Sequence, residues 1–534
     1  MRINRLYIKA FRNLKNFSID FTPEGKDADG QIKKFNSHAI IGQNGSGKSN
    51  FLEAVIIIFR DLDLKNKPEF AYKLDYEIRG HRVEIHAESV VDLPWVTINK
   101  KKRSATYLSD HAAEYLPSNV FVYYSGKNQR IEALFQAHQN RFNKTLREDG
   151  DALIRRLFYC RSGHSQLVLL ACLLSKDPVF KKILENLNIK KLESALFVIK
   201  QPNRLKKNLT QKDILNGDQR FWFAQGTVVS EFLDKLWDLS VAPIDETSSK
   251  QVDFRGRTEN QEQIYLYLPD QDALEELGKL VGPAEVFFRY AEGAYIGDLI
   301  DEVRITVERE NHDGTIGFEN LSEGEMQLLT VLGLMRFTNQ DHCLFLLDEP
   351  DTHLNPIWKL RYFDEIEKII QPGENQTICG KSQILITTHD PIMIGSLRKE
   401  QVRILCREDD KCMVMEPDVH PQGMGISGLL KSELFGLRST VDTETLRRLD
   451  KRNYLFALGR ARTKLEDAEL TRLSEELSDL GFASDFKDPY FAMFVQKMAL
   501  HKKFHKQQLT PNEQKEQDAI ADEIIDEILR ESGK

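Results

Sequence analysis

The stretch GQNGSGKS at residues 42–49 combines residue types at a spacing that can bind the phosphates of a nucleotide. It fits the pattern G-x-x-x-x-G-K-[ST], and it lies between a predicted strand and a predicted helix, as this pattern requires. The glycines leave backbone N–H groups free to surround phosphate oxygens, Lys48 neutralises the β- and γ-phosphates, and the Ser49 hydroxyl ligates Mg²⁺. The predicted nucleotide-binding residues here are Gly42, Gln43, Asn44, Gly45, Ser46, Gly47, Lys48, Ser49 and Asn50.

Polar residues also end two later apolar stretches, CLFLLDEP and ILITTHD. Asp348 ends the first and can hold a water of the Mg²⁺ shell, while Glu349 can act as general base on the attacking water. His389 ends the second, where a polar side chain just past a central strand can contact the γ-phosphate. The predicted catalytic residues are Glu349, Asp348, Lys48 and His389, and the predicted Mg²⁺ ligands are Ser49 and Asp348, the latter directly or through water.

A third feature is the stretch LSEGEMQLLT, residues 321–330, which predicts an amphipathic helix beginning with Ser-x-Gly. The first N–H groups of a helix have no partner within it and point toward anions. Ser322 and Gly324 are therefore candidate phosphate ligands, and the question is which nucleotide they contact.

The elements that must position these residues alternate between strand and helix along the chain. Strands are predicted at INRLYIKAF, FSIDF, SNVFVYYSG, EQIYLYL, VFFRYA and DEVRITVERE, with hairpins around Gly80 and in QVRILCREDDKCMVMEP. The pattern from about Ile131 to Asn203 is mostly helical, DETSSK is predicted as a loop, and the chain beyond about Gly425 is predicted as charged helices.

Composition excludes several classes of protein. With 534 residues, 41% hydrophobic and 29% charged, the chain can build two to four soluble domains, and its net charge of −8 argues against polyanion binding by overall field. The six cysteines form no C-x-x-C pair, which disfavours zinc and disulfide sites. No signal region and no stretch of about 20 apolar residues occurs. The sequence predicts a cytoplasmic protein without a membrane partner.

The order of Gly42–Ser49, Leu321–Glu325, Leu344–Glu349 and His389 resembles that of ABC-type ATPases, and INRLYIKAFRNL resembles the start of the SMC, Rad50 and OLD-like branch. This resemblance implies ATP and Mg²⁺ as cofactors. It also implies a head-to-tail dimer, or a higher oligomer that contains this dimer. In it, Ser322, Gly324 and Glu325 of one copy lie around the nucleotide of the other. Glu323 and Glu325 are then expected to point away from the phosphate, and THLN, residues 352–355, matches the family's D-loop.

Three further nucleotide contacts follow from the same resemblance. Arg12 and Asn13 resemble an early turn that contacts nucleotide in this branch, and Gln129 is a candidate Q-loop glutamine. For Gln129 the alternative is an ordinary glutamine at the start of a helix.

The predicted fold class is α/β, with an ABC-type ATPase head built from a P-loop core and an antiparallel β lobe, an inserted mixed segment and a helical C-terminal tail. We expect an N-terminal ATPase lobe at residues 1–130 and a mixed, largely helical insertion at 131–300. A C-terminal lobe with the signature helix, Asp348–Glu349 and His389 is expected at 301–420. A helical region for partner docking is expected at 421–534.

The stretches GISGLLKSELFGLRSTVD and VFVYYSGKNQRIEALF resemble the PtuA-type ATPases of Septu and retron antiphage systems. That resemblance implies an HNH nuclease partner, and in retrons also a reverse transcriptase with its DNA–RNA product. The predicted function is an ATPase subunit that gates such a nuclease through ATP-dependent dimer closure.

Two other functions remain open at this point: a Rad50- or RecF-like repair ATPase that binds DNA directly, and an OLD-like nuclease using Glu408 and Asp410. The basic runs INKKKRS, residues 98–104, and NRLKKNL are either contacts for nucleic-acid phosphates or solvated surface.

Overall fold

The computed structural model describes residues 1–22, 35–126, 129–147, 155–207, 209–251, 258–310, 314–338, 342–370, 382–408, 411–482, 489–506 and 509–531. The chain divides into two compact units. The first comprises Met1–Ile40 and Gly47–Thr388, and the second comprises Ile41–Ser46 and His389–Lys534. Parallel strands, antiparallel sheets and helices all occur, so the predicted α/β class is confirmed.

The strands, in chain order, are β1 (Arg2–Phe11), β2 (Leu14–Asp20), β3 (Ser37–Gly42), β4 (Tyr72–Ile78), β5 (His81–Ala87), β6 (Trp95–Ile98), β7 (Lys101–Ser104), β8 (Val120–Tyr124), β9 (Leu157–Tyr159), β10 (Ile189–Lys200), β11 (Ile244–Gln251), β12 (Thr258–Leu268), β13 (Ile300–Arg309), β14 (Thr315–Gly317), β15 (Leu344–Asp348), β16 (Gln383–Thr387), β17 (Val402–Glu408) and β18 (Lys411–Met415).

The α-helices are α1 (Lys48–Leu64), α2 (Ala105–Asp110), α3 (Ala112–Tyr115), α4 (Gln129–Ala133), α5 (Gln136–Arg147), α6 (His164–Leu174), α7 (Pro178–Asn186), α8 (Asn203–Lys207), α9 (Gln211–Asn216), α10 (Asp234–Leu239), α11 (Gln271–Val281), α12 (Ala284–Ile296), α13 (Glu323–Thr338), α14 (Pro356–Ile370), α15 (Pro391–Ile394), α16 (Gly425–Lys431), α17 (Thr443–Ala457), α18 (Lys464–Asp479), α19 (Pro489–Leu500) and α20 (Pro511–Glu531).

Five parallel strands form the centre of the first unit, in the order β3-β16-β15-β8-β9. Every residue of β15 and β16 is buried, which explains their continuous apolar sequences. In the register of these strands, Asp348 pairs with Thr387 on one side and with Tyr124 on the other. The ends of β8, β15 and β16 therefore lie level at one edge of the sheet, where ligands of such sheets bind.

The helix α1 begins at Lys48, directly after Gly47, whose φ of 107° favours glycine. A Cβ at Gly47 would also approach the side chains of Leu14 and Asn13, so the start of α1 packs closely against the turn between β1 and β2. Burial of most of α1 outweighs the weak helix propensity of its Ile56–Ile58 run.

A six-stranded antiparallel sheet, in the order β2-β1-β4-β5-β6-β7, packs beside α1. The aromatic ring of Phe17 on β2 lies 5.8 Å from that of Phe51 on α1. The hairpin predicted around Gly80 is confirmed, since β4 and β5 pair antiparallel and Gly80 has a φ of 79°.

The segment between residues 131 and 300 contributes to a five-stranded antiparallel sheet in the order β11-β12-β10-β13-β14. Two element predictions here are wrong. The stretch VFFRYA lies within α12, because Phe287, Ala291 and Ala294 are buried at helical spacing. The stretch DETSSK lies within β11, because this polar edge strand pairs residue by residue with β12. The mostly helical pattern expected up to Asn203 also misses β10.

A buried carboxylate ties the end of α1 to the following chain. The Asp63 side chain, which is 6% exposed, accepts hydrogen bonds from His138 at 2.9 Å and Arg156 at 2.7 Å and also pairs with Arg141. Burial would raise the pKa of Asp63, but the hydrogen bond from His138 and the charges of Arg156 and Arg141 outweigh it. They hold that pKa well below its usual range.

The variant Asp63→Asn is expected to lose about 3 kcal/mol of unfolding free energy at pH 7, because its partners lose a buried carboxylate. A carboxyl with a lowered folded-state pKa stabilises the protein above its unfolded pKa of about 4, and this contribution is lost as the pH falls toward the folded-state value. The difference from the parent chain, measured by urea denaturation, should therefore shrink in acid. The control is Asp110→Asn, which breaks a half-exposed pair with Lys65 and should cost under about 1 kcal/mol. Equal losses for both variants would contradict this account.

In the second unit, β17 and β18 form an antiparallel hairpin, as predicted, and helices follow from Gly425. Its terminal helices share a small core of Phe504, Ile524 and Ile528, against which Met493 and Phe494 of α19 pack. The last helix, α20, therefore packs Ile524 and Ile528 on its own unit, while Ile525 and Leu529 are exposed. Among the described helices, none is long and apolar enough to cross a membrane.

Candidate nucleotide-binding site

The centre of the site in the first unit is Asp348, at the end of β15. Its buried carboxylate accepts a hydrogen bond from the Thr387 hydroxyl of the neighbouring strand and another from Ser49. Burial raises the pKa of the Asp348 carboxyl, and these two hydrogen bonds offset the rise only in part. The structure therefore brings together two residues, Ser49 and Asp348, that the sequence separates by 299 positions (348 − 49).

Lys48 is the cation of this group. It is buried, and burial lowers the pKa of its ammonium against the attraction of Glu349 and Asp348. A buried lysine facing two carboxylates is held in place by them, and an anionic phosphate would add a further favourable charge partner.

Glu349 has a backbone conformation that non-glycine residues seldom adopt, with a φ of 49°. Its N–H donates to the Thr387 carbonyl oxygen at 3.0 Å, which fixes the turn after β15. The side chain is only partly buried. Strained backbone of this kind concentrates at functional sites, where the surrounding structure holds it.

The oxygen donors near Lys48 fit a magnesium ion. Mg²⁺ prefers carboxylate and hydroxyl oxygens and usually keeps several waters. Ser49 and Asp348 supply one oxygen of each kind within hydrogen-bonding distance. A cation would also offset the unfavourable burial of the Asp348 charge, so the residues present suit this metal.

The first half of the phosphate loop, residues 42–46, belongs to the second unit. Gly42 and Gly45 have φ values of 151° and 79°, and a Cβ at Gly42 would collide with the Leu405 carbonyl oxygen. The Ser46 N–H donates to Gln43 O at 3.1 Å. This tight turn requires glycine at position 42, and it leaves residues 43–45 exposed while Ser46 is buried.

A cavity of about 750 Å³ in the second unit adjoins that loop. Its lining consists of residues 42–46, His389, 404–407, 433–435 and 509–511. Exposed His389, predicted to contact the γ-phosphate, thus shares a cavity with Gln43 and Asn44 of the loop. The C-terminal region contributes walls to the same space.

Arg12 and Asn13 form the turn between β1 and β2, and this turn packs against the start of α1. The Arg12 guanidinium pairs with buried Glu53 and donates to Asn50 Oδ1 at 3.2 Å, and Asn50 Nδ2 donates to Asn13 Oδ1 at 2.7 Å. Arg12 also has a left-handed φ of 52°. The predicted turn is thus anchored to the helix of the phosphate loop through a glutamate that the sequence did not single out.

The signature helix α13 begins with a capping box. The N–H and hydroxyl of Ser322 donate to the Glu325 carboxylate at 2.8 and 2.9 Å, and the Glu325 N–H donates back to Ser322 Oγ at 3.2 Å. Arg309 binds the other carboxylate oxygen at 2.7 Å. Burial would raise the pKa of Glu325, but the hydrogen bonds from Ser322 and Arg309 outweigh it and lower that pKa. Glu325 therefore faces its own helix start.

The stretch THLN, residues 352–355, packs against the same helix. A Cβ at Gly324 would collide with the carbonyl oxygen of His353, so only glycine fits this approach. Gln327 donates to the Pro350 carbonyl oxygen, and the His353 N–H donates to Gln327 Oε1 at 3.3 Å. The exposed Glu323 carboxylate pairs with His353 at 2.9 Å. Gln327 thus links the signature helix to the chain that follows Glu349.

Gln129 begins α4, shortly after β8, and is exposed. It lines a cavity of about 630 Å³ that also includes Glu323, Gln327 and His353. Its neighbour Arg130 reaches Glu53 of α1 at 3.0 Å. The structure places Gln129 near the signature helix and shows no contact from it to Ser49 or Asp348 among the described residues.

Three residues that position the site were not predicted from the sequence. Thr387 donates to Asp348, Glu53 pairs with Arg12, and Gln327 accepts from the His353 N–H. Thr387 could have been found from register, because the end of each parallel strand faces the end of its neighbour. Glu53 and Gln327 gave no signal, because one buried polar residue in an apolar helix has no fixed partner in the sequence. No group of three or more His, Cys, Asp or Glu side chains suited to a metal occurs in the described part of the chain. The Glu408 side chain and Asp410 lie outside it.

Comparison with known proteins identifies similar chains. The family model described as AAA ATPase domain matches residues 1–394. The retron Vc95 probable ATPase of Vibrio cholerae serotype O1 biovar El Tor is 25% identical over 126 residues, which cover 22% of this chain and 23% of that protein. The chain therefore spans less than a quarter of the length of this curated relative.

Solved structures of SMC head domains also match. The SMC head domain from Thermotoga maritima has 12% identity and a TM-score of 0.32, covering 78% of this chain and 100% of that one. The Smc head domain with an extended coiled coil from Pyrococcus furiosus, bound to the C-terminal domain of ScpA, has 13% identity and a TM-score of 0.30. It covers 78% of this chain and 96% of that one.

Proposed function

The chain belongs to the AAA ATPase domain family, and we propose that it binds and hydrolyses ATP with Mg²⁺ at Lys48, Ser49, Asp348 and Glu349. The observation that carries this proposal is the buried group at the end of β15, where Asp348 meets Ser49 and Lys48 beside a strained Glu349. A structural ion pair alone would not require a left-handed glutamate directly after the buried strand.

Each residue of this group has a role that follows from its chemistry. Lys48 binds the phosphate chain, and the oxygens of Ser49 and Asp348 would hold Mg²⁺. When bound, the metal neutralises phosphate charge. The Thr387 hydroxyl orients the Asp348 carboxylate through their hydrogen bond. Glu349 accepts the proton of the attacking water, since its side chain is accessible and its backbone is fixed.

The proposed active assembly is a head-to-tail dimer in which Ser322 and Gly324 of a second copy approach the γ-phosphate. The start of α13 supports this, because it presents backbone N–H groups and a hydroxyl near the surface. The Ser322 hydrogen bonds to Glu325 would have to give way, at least in part, to a phosphate oxygen. His389 would contact the same phosphate from the copy that holds the loop.

We further propose that this ATPase is a subunit of a bacterial antiphage defence complex of the PtuA type and gates an HNH nuclease. Retron versions would also hold a reverse transcriptase with its DNA–RNA product. Similarity to a retron ATPase supports this assignment. So does the cavity that residues 42–46 share with residues 433–435 and 509–511, because a partner docked on the C-terminal region could respond to the loop.

Within this scheme the ATPase lobes are residues 1–130 and 301–420, the insertion is 131–300, and the docking region is 421–534. The exposed Ile525 and Leu529 of α20 offer apolar side chains to such a partner.

The purified chain is expected to hydrolyse ATP and to leave DNA and RNA intact, with cleavage appearing only when its nuclease partner is added. Cutting nucleic acid requires a metal cluster or a base–nucleophile pair, and the proposed ATP site serves another reaction. Steady-state ATPase assays and gels of labelled DNA and RNA, with and without the partner purified from the same operon, measure both activities.

One result would replace this proposal with an OLD-like nuclease. Metal-dependent cleavage by the chain alone that survives Glu349→Gln and is lost in Glu408→Ala or Asp410→Ala would assign the cutting to this chain. Failure of the partner to co-purify would remove the gating role and leave the ATPase proposal intact.

A further inference from the structure

The hairpin of β6 and β7 forms one edge of the six-stranded sheet, and among the described strands none pairs with the outer side of β7. Its two-residue turn consists of Asn99 and Lys100, whose φ values are 47° and 67°, and this geometry matches the twist of paired strands. Trp95 pairs with Ser104 and Thr97 with Lys102, so these four side chains share one face of the hairpin.

That face exposes a tryptophan. The side chain of Trp95 is 66% exposed, and the Lys102 ammonium lies 5.9 Å from its ring centroid. The loop before Trp95 adds exposed apolar residues: Val90, Val91 and Leu93. Exposed apolar groups of this size mark interaction sites when they cluster.

The turn and β7 carry four consecutive basic residues, Lys100 to Arg103, all exposed. Within the described part of the chain, none has an acidic side chain at ion-pair distance. Arg82 on the adjacent strand differs, because it pairs with Asp75 at 2.7 Å and Glu84 at 3.1 Å. One arginine, Arg82, thus serves two carboxylates, whereas the four cations of the hairpin lie outside that ion-pair group.

Lysines on an edge strand can also serve to prevent aggregation through strand pairing. That explanation accounts for the charges of β7 but not for Trp95, since an exposed tryptophan on an edge would promote association. Lys102 beside an exposed aromatic ring, with three more cations along the same sheet edge, instead has the chemistry of a nucleic-acid surface, where phosphates meet cations and bases stack on rings. Arg103, 5.1 Å from the Tyr107 ring centroid, extends the same combination.

We propose that the β6–β7 hairpin binds single-stranded nucleic acid, with Lys100 to Arg103 contacting phosphates and Trp95 stacking on a base. The flat ring favours unpaired bases, because duplex bases are stacked on each other and present only their edges. The site extends the proposed function by supplying a nucleic-acid contact. It is separate from hydrolysis, because the hairpin contains none of the proposed ATPase residues.

The test measures binding of the full chain to a fluorescein-labelled oligothymidylate of about 20 nucleotides by fluorescence anisotropy, with a duplex of equal length for comparison. The double variant Lys101→Glu/Lys102→Glu should weaken binding at least about tenfold at about 50 mM salt and reduce its salt dependence. Trp95→Ala should weaken single-strand binding about tenfold while leaving the salt dependence unchanged, and Trp95→Phe should recover part of the loss.

The matched control is Lys181→Glu/Lys279→Glu, which makes the same charge change on two exposed helical positions of the same unit. It should alter binding by less than about twofold, since long-range charge alone is screened by salt. ATP hydrolysis should be unchanged in all these variants without nucleic acid. Equal losses in control and hairpin variants, tighter binding of duplex that ignores Trp95, or loss of a protein partner with no effect on oligothymidylate would each overturn the proposal.

Discussion

Glu349→Gln is expected to reduce ATP turnover by about two to three orders of magnitude while leaving ATP binding intact. Glutamine keeps the size of the side chain but cannot accept a proton from water. It also keeps the Cβ, so the left-handed backbone at this position remains as strained as before. Asp348 keeps its hydrogen bonds from Thr387 and Ser49, and Lys48 keeps the attraction of Asp348, so nucleotide affinity should stay within a few-fold of the parent chain.

The measurement pairs steady-state ATPase rates with equilibrium binding of a fluorescent ATP analogue. Because closure precedes hydrolysis in the proposed cycle, the variant should also accumulate as an ATP-dependent dimer in size-exclusion chromatography. Glu365→Gln provides a matched control, since the same chemical change on α14 affects a carboxylate that pairs with Lys182 and Lys368. Its turnover should stay within about twofold of the parent. Parental turnover in Glu349→Gln would mean that another group serves as the base.

Lys48→Ala separates binding from chemistry in the same assay. A buried ammonium facing two carboxylates is replaced by a methyl group, and the phosphate chain loses its principal cation. This variant should lose both binding and turnover, in contrast to Glu349→Gln. The pair of variants therefore distinguishes a residue that holds phosphate from one that accepts a proton.

The core of the α/β fold could be predicted from the sequence because its motifs are local. A glycine-rich loop between a strand and a helix has one folded form, and buried parallel strands have continuous apolar sequences. The ends of those strands meet at one edge, so Asp348 and Ser49 could be expected to approach each other. Their hydrogen bond follows from the sheet, not from any short-range pattern.

Other features depend on partners distant in the sequence. The polar stretch DETSSK forms β11 because β12 supplies its hydrogen bonds, and no local pattern reports that pairing. The six letters of VFFRYA are too few to reveal a helical period. Glu325 shows an intermediate case. The spacing S-x-x-E is typical of a capping box, although the family resemblance assigned Ser322 and Glu325 to nucleotide binding instead. The additional hydrogen bond from Arg309 of β13 comes from the tertiary fold.

The capping box has a consequence for how two copies could form one site. The N–H and hydroxyl of Ser322 both donate to Glu325, so the phosphate of a nucleotide bound to another copy must compete with a carboxylate on the same helix. Such competition is favourable only if the incoming group carries more negative charge, as a γ-phosphate does. Ser322 is therefore best tested with a second copy of the chain supplying the phosphate loop.

Mixing Lys48→Ala chains with Ser322→Arg chains is expected to restore ATPase activity that neither variant has alone. In a head-to-tail dimer each site takes its loop from one copy and its signature from the other. A mixed dimer therefore has one site with both defects and one with neither. Random mixing should yield about a quarter of parental activity, since about half the dimers are mixed and each has one intact site.

The control replaces the second chain with the double variant Lys48→Ala/Ser322→Arg, which leaves every loop defective and should restore nothing. Mixed dimers must be shown directly, for example by co-purification through two affinity tags. If they form and no activity returns, two explanations remain: Ser322 acts on the nucleotide of its own copy, or both sites must be intact for either to fire. A tethered dimer with a single Ser322→Arg copy separates them. Full loss of turnover favours coupled sites, because one site in that dimer is intact and would otherwise be active. Half-parental turnover would confine the defect to one site, as expected if Ser322 acts on the nucleotide of its own copy.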